Sequence, residues 1–260
     1  MTLSAAFTLA FQLITLLGFT VTSFRLYSSG LFRRYRFFFA YLIFSAVQTG
    51  TAAAMNVKSR EYWYFWIYSE PVLWVFYVLV VLELYSLVLD KYKGLYSMGR
   101  LALYASVALS VLLSGLTMLY RAAGVPARQG SHVLVNYFAI ERGVVCSLLI
   151  FLFLILLILS RYPVQLSRNV VIHCIVYSAF FLSNTLGLLL RSVLGISVSR
   201  WLSNVQVGIT ALCVVLWAVL LSRKGESHLI TLASLAPEQE ERILSKLDAL
   251  NTTFLRAARK

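Results

Sequence analysis

"WIYSEPVLWVFYVLVVLELYSLVL", residues 66 to 89, is an apolar run that carries two carboxylates, Glu70 and Glu83, the first followed directly by Pro71. About 20 helical residues cross a hydrocarbon core of roughly 30 Å, so the run reads as a spanning helix with acids at two depths. The rest of the chain is of the same kind. Sixty per cent of the 260 residues are apolar and the mean hydropathy is +0.81, against about 45–50 per cent apolar in soluble domains. Seven stretches reach spanning length: 3–24, 36–55, 62–89, 99–120, 132–160, 168–191 and 200–222. The expected fold is all-α, a polytopic integral membrane protein built as a seven-transmembrane-helix bundle (residues 1–224), in the cell membrane.

Basic residues of the short loops set orientation. Arg25, Arg33, Arg34, Arg36, Lys91, Lys93, Arg100, Arg161, Arg168, Arg223 and Lys224 fall on one side, eleven in all. Lys58, Arg60, Arg121, Arg128, Arg191 and Arg200, six in all, fall on the other. This predicts the N-terminus outside and the C-terminus in the cytoplasm. No Lys or Arg precedes Arg25, so the first span is expected to persist as a helix rather than act as a cleaved signal.

The net charge of +13 lies in the spans and their loops, because the chain from Gly225 onward has five acids and five bases. Anionic lipid headgroups on the cytoplasmic side are a sufficient partner, and nucleic acid is not expected. After a linker, 225–236, the segment 237–258 predicts a short cytoplasmic amphipathic helix. Pro237 and three glutamates open it, and basic residues close it, as the helix dipole favours. Ile243, Leu247, Leu250 and Phe254 form a narrow apolar stripe suited to a homodimer, a cytoplasmic protein partner or the inner leaflet.

An intramembrane charge costs about 2.5 to 3.5 kcal/mol on insertion scales, so it faces the bundle interior or water and finds a partner. At about 1.5 Å per residue, Glu70 lies roughly 12 Å from the outer end of the third span. Glu141 and Arg142 share that depth in the fifth, and Asn184 lies in the outer half of the sixth. These residues, with Tyr68 and Tyr137, form the candidate outer cluster, in which Arg142 is the expected partner of Glu70. Pro71 is the candidate hinge, since its missing N–H frees a carbonyl one turn earlier. A second, inner group consists of Glu83, His173, Asn169 and Tyr177. Here a Glu83–His173 contact is the expected pairing, either as a proton-sensitive latch or as structural hydrogen bonding. Glu70 and Glu83 are separated by about 20 Å and roughly 220° around the helix, which predicts that the third span is the bundle's central helix. The aromatic run from Tyr62 to Tyr68 reads as an interfacial belt.

Cys146, Cys174 and Cys213 all fall inside spans and read as buried thiols. His173 is the one histidine well inside a span, so bis-histidine haem ligation is not expected. No metal site, cofactor or catalytic motif is expected either, and an enzyme is the least favoured class. The leading reading is a seven-pass membrane sensor or partner-coupling protein with an outer polar pocket and a cytoplasmic interaction helix. A proton- or cation-coupled small-solute transporter, with Glu70, Glu141 and Glu83 as carriers, and a structural membrane scaffold are the alternatives.

Overall fold

The computed structural model describes residues 3–56, 59–88, 132–161, 165–194, 196–227 and 229–231, together with Ser245 and Ala249. The described chain is helical: α1 (Leu3–Ser28), a 3-10 turn (Leu31–Arg33), α2 (Arg36–Ala54), α3 (Arg60–Val88), α4 (His132–Arg161), α5 (Arg168–Leu194), α6 (Ile196–Leu220) and a single turn, α7 (Arg223–Ser227). Five of these helices contain a segment long and apolar enough to cross a membrane, within 36–54, 60–88, 140–157, 168–190 and 201–220. The expected fourth span, 99–120, lies outside the described residues.

Side-chain polarity is arranged inside out, as a bilayer demands. Phe24, Val47, Val75, Leu157 and Val219 are exposed, whereas Thr15, Ser45, Asn169, His173 and Thr185 are buried. Neighbouring helices close a ring in the order α1, α2, α3, α4, α5, α6 and back to α1, and α3 also touches α5. The small residues of α1 allow its closest approach to a neighbour. A Cβ on Gly18 would stand 2.6 Å from Val214 Cγ1 on α6.

Local chemistry explains how the elements begin and end. Gly30 takes a left-handed φ of 74°, which a residue without a Cβ adopts freely, and so turns the chain from α1 into α2. The α2 helix starts after Tyr35, whose side chain provides no cap. Its first free amides are served from another helix: Glu83 of α3 accepts from Phe37 N at 3.1 Å and Phe38 N at 3.0 Å. An anion at a helix N-terminus is favourable by up to about 2 kcal/mol when partly buried. At the opposite pole of α6, Arg25 donates to the free carbonyl of Ala218 and, at 3.4 Å, to that of Val219. The α3 helix begins at a conventional cap, with Ser59 Oγ accepting from Tyr62 N at 3.1 Å, and runs unbroken through Pro71.

One expectation is corrected. Among the described helices the most enclosed is α5, not α3: 61 per cent of its membrane-length segment is buried, against 44 per cent for α3. The polar residues Asn169, His173 and Tyr177 turn inward from α5, and α3 buries a single face. As expected the described chain is all-α, and it adds one short antiparallel ribbon, β1 (Gln165–Ser167) paired with β2 (Leu229–Thr231), in which Leu166 pairs with Ile230. The stretch read as a linker, 225–236, takes in the end of α7 and the strand β2, where Glu226 finds three partners on the bundle and β-branched Ile230 and Thr231 suit a strand. The expected helix 237–258 lies outside the described residues except for Ser245 and Ala249, which are helical and exposed.

Candidate functional site

All six long helices contribute to a cavity of about 480 Å³ in the half of the bundle that holds the α2–α3 connection. On α3 the wall is made by Tyr62, Phe65, Trp66, Ser69, Glu70, Leu73 and Tyr77, a three- and four-residue spacing that defines one helix face. Helical periodicity therefore divides the aromatic run. Tyr62, Phe65 and Trp66 line the cavity, while Trp63, Tyr64 and Tyr68 are exposed. Glu141 of α4 and Asn184 of α5 complete the expected polar set, joined by Gln12 of α1, Gln48 of α2 and Gln206 of α6.

Most of these groups are held in place. Gln48 Nε2 donates to Ser69 Oγ at 3.0 Å, and Ser69 Oγ donates to Trp66 O at 3.3 Å. Gln206 Nε2 donates to Asn184 Oδ1, and Asn184 Nδ2 to Phe180 O at 3.0 Å. Trp66, Glu70 and Glu141 line the same cavity. Glu70 and Glu141 thus share one wall. The expected Glu70–Arg142 pair is not formed. Arg142 follows Glu141 by about 100° around the helix and does not line the cavity, and among the described residues no Arg or Lys does. Tyr68, 72 per cent exposed, points away from the cavity. The side chains of Tyr137 and Arg191 lie outside the described residues.

The opposite half of the bundle is plugged by aromatic rings. Asn169, His173 and Tyr177 lie on one buried face of α5, as their spacing predicts, each at most 1 per cent exposed. The expected Glu83–His173 contact is absent, because both Glu83 oxygens are used by the α2 amides. His173 instead sits among the rings of Tyr35 (4.9 Å), Phe38 (4.5 Å), Tyr177 (6.2 Å) and Trp217 (6.3 Å). Among the described residues no group hydrogen-bonds to either His173 nitrogen, to the Tyr177 hydroxyl or to Trp217 Nε1.

Beyond the plug, Glu226 closes the end of the bundle. Its Oε2 accepts from the Tyr35 hydroxyl at 2.8 Å and from Asn169 Nδ2 at 3.1 Å, and its Oε1 meets Arg34 Nε at 2.7 Å. Asn169 Nδ2 also donates to Ser222 O at 2.9 Å. Burial, and after it the Glu226 charge, push the Tyr35 phenol far above its ordinary range, so it remains a proton donor to the carboxylate. The sequence reading missed this group. Its available signal was Glu226 itself, a lone acid directly after a spanning helix and its basic flank. The glutamines at membrane depth were a comparable signal for the cavity.

No protein-family model, curated protein or solved structure matches the chain.

Proposed function

We propose that the protein is a seven-pass membrane sensor or partner-coupling protein, N-terminus outside and tail in the cytoplasm, whose cavity takes a small organic cation. The observation that supports this reading is the wall itself, which brings Glu70 and Glu141 together with the aromatic side chains of Tyr62, Trp66 and Tyr77. Carboxylates supply charge to an ammonium group, and the faces of Trp66, Tyr62 and Tyr77 supply cation–π attraction. The volume falls within the roughly 300–1,000 Å³ of small-molecule sites. The amphipathic stretch with Ile243, Leu247, Leu250 and Phe254 provides the output surface in this reading, and the Glu226 group ties its root to the bundle.

A second reading, a proton- or cation-coupled carrier, is favoured by the same pair of acids, because two carboxyls in one membrane cavity divide the site between protons and a cation. Thermal unfolding of the full chain in lipid nanodiscs, with tetramethylammonium, ethanolammonium and sodium as probes, tests both. An organic cation at 100 times its Kd is expected to stabilise the native chain by about 2.7 kcal/mol, with no effect on Glu70→Gln. Equal responses of the native chain and Glu70→Gln to all three probes would refute the site. Uptake of the stabilising cation into proteoliposomes then separates carrier from sensor.

A further inference from the structure

Between the cavity and Glu226 a line of side chains that carry exchangeable protons runs through the plug, packed against Phe38. Tyr41 stands on the cavity wall, and its ring lies 6.4 Å from that of Tyr177. Tyr177 stacks at 6.2 Å on His173, and His173 lies 4.9 Å from Tyr35. The Tyr35 hydroxyl reaches Glu226 at 2.8 Å. Trp217 flanks the column at 4.6 Å from Tyr177. In the middle of this line, where exposure is at most 1 per cent, four polar atoms have no hydrogen-bond partner among the described residues: both His173 nitrogens, the Tyr177 hydroxyl and Trp217 Nε1. Buried polar atoms are nearly always paired, and a cluster of orphans matches the site of buried water, which typically makes about three hydrogen bonds to such groups.

We propose that His173, Tyr177 and Trp217 hold buried water that joins the carboxylate cavity to Glu226, giving a proton path along the bundle axis. A proton arriving at the Tyr41 hydroxyl from the cavity releases that group's own proton onward. Each water and the Tyr177 hydroxyl does the same, accepting one proton and giving up another. His173 accepts at one nitrogen and releases from the other, and Tyr35 passes its proton to the Glu226 carboxylate, which returns it to water. Only O–H and N–H bonds change, and one unit of charge crosses, driven by the membrane potential or a pH gradient. Trp217, a donor only, positions water without relaying a proton. Glu83 has no part, since α2 occupies both of its oxygens. Arg34 and Asn169, the other groups on Glu226, hold the exit carboxylate in place.

The test uses the full chain in liposomes loaded with pyranine, with a potassium gradient and valinomycin driving protons and no organic cation present. Native protein is expected to conduct protons above protein-free vesicles. Tyr177→Phe and His173→Leu are each expected to lower the flux at least tenfold, and Tyr27→Phe, on the exposed surface, to leave it unchanged. Tyr35→Phe removes only the exit hydroxyl and decides the matter if the deeper variants do not fold. Native flux equal to that of empty vesicles, or unchanged flux in Tyr35→Phe and Tyr177→Phe, would overturn the path. Tetramethylammonium binding to Tyr177→Phe, measured in parallel, lets the path and the cation site fail separately.

Discussion

The Tyr35 hydroxyl donates to the Glu226 carboxylate at 2.8 Å, across 191 residues of chain. This bond fastens the turn between α1 and α2 to the segment that follows α6. It also lies where the aromatic plug meets the end of the bundle, so the same pair closes the fold and ends the polar column.

Removing that contact is expected to show a pH signature. Tyr35 keeps its proton in the folded chain to a pH well above the ordinary tyrosine value of 10.0. A raised folded-state pKa gives stability that is full below pH about 10 and is lost as pH rises towards the folded value. Unfolding midpoints between pH 8 and 11 should therefore fall more steeply for the native chain than for Tyr35→Phe. Parallel curves would show that the phenol is not coupled to folding.

Glu83 is expected to behave as a helix cap and not as a histidine partner. Glu83→Ala leaves two α2 amides without an acceptor and should cost about 1–3 kcal/mol. Combined with His173→Phe in a double-mutant cycle, it should show coupling below about 0.5 kcal/mol. Strong coupling in thermal unfolding would restore the latch.

Packing of α1 on α6 is expected to tolerate nothing larger than glycine at position 18. Gly18→Ala sets a Cβ against Val214, which is fully buried, and overpacking of this kind costs about 1–3 kcal/mol. Gly50→Ala, whose Cβ would meet Leu16 Cδ1 at an ordinary 3.8 Å, serves as the control and should unfold within about 0.5 kcal/mol of the native chain.

Glu70 and Arg142 are expected to act independently. Arg142→Met should leave tetramethylammonium binding within about twofold of native, while Glu70→Gln should weaken it at least about tenfold, or roughly 1.4 kcal/mol. Equal losses from the two substitutions would place the guanidinium back in the cavity.

The helices long and apolar enough to cross a membrane were legible in the sequence, because hydropathy is a sum over neighbouring positions along the chain and needs no knowledge of tertiary neighbours. The boundaries of the stretches at 36–55, 62–89 and 168–191 agree closely with α2, α3 and α5. That Glu70, Glu141 and Asn184 could reach one cavity was equally legible, since rise per residue converts sequence position into height along each helix. So was the common face of Asn169, His173 and Tyr177, since four-residue spacing converts position into angle.

Partner choice was decided only by the tertiary structure. Depth and helical angle do not say which helix stands beside which, or how far each is rotated about its own axis. Arg142, one residue from Glu141, is carried off the cavity wall by a rotation of about 100°. Glu83 takes the α2 amides because the unsatisfied N-terminus of that helix is presented to it, a backbone demand that leaves no mark on side-chain composition. Glu226, the plug and the cavity likewise come from closing the ring, which brings together residues that the chain itself holds far apart.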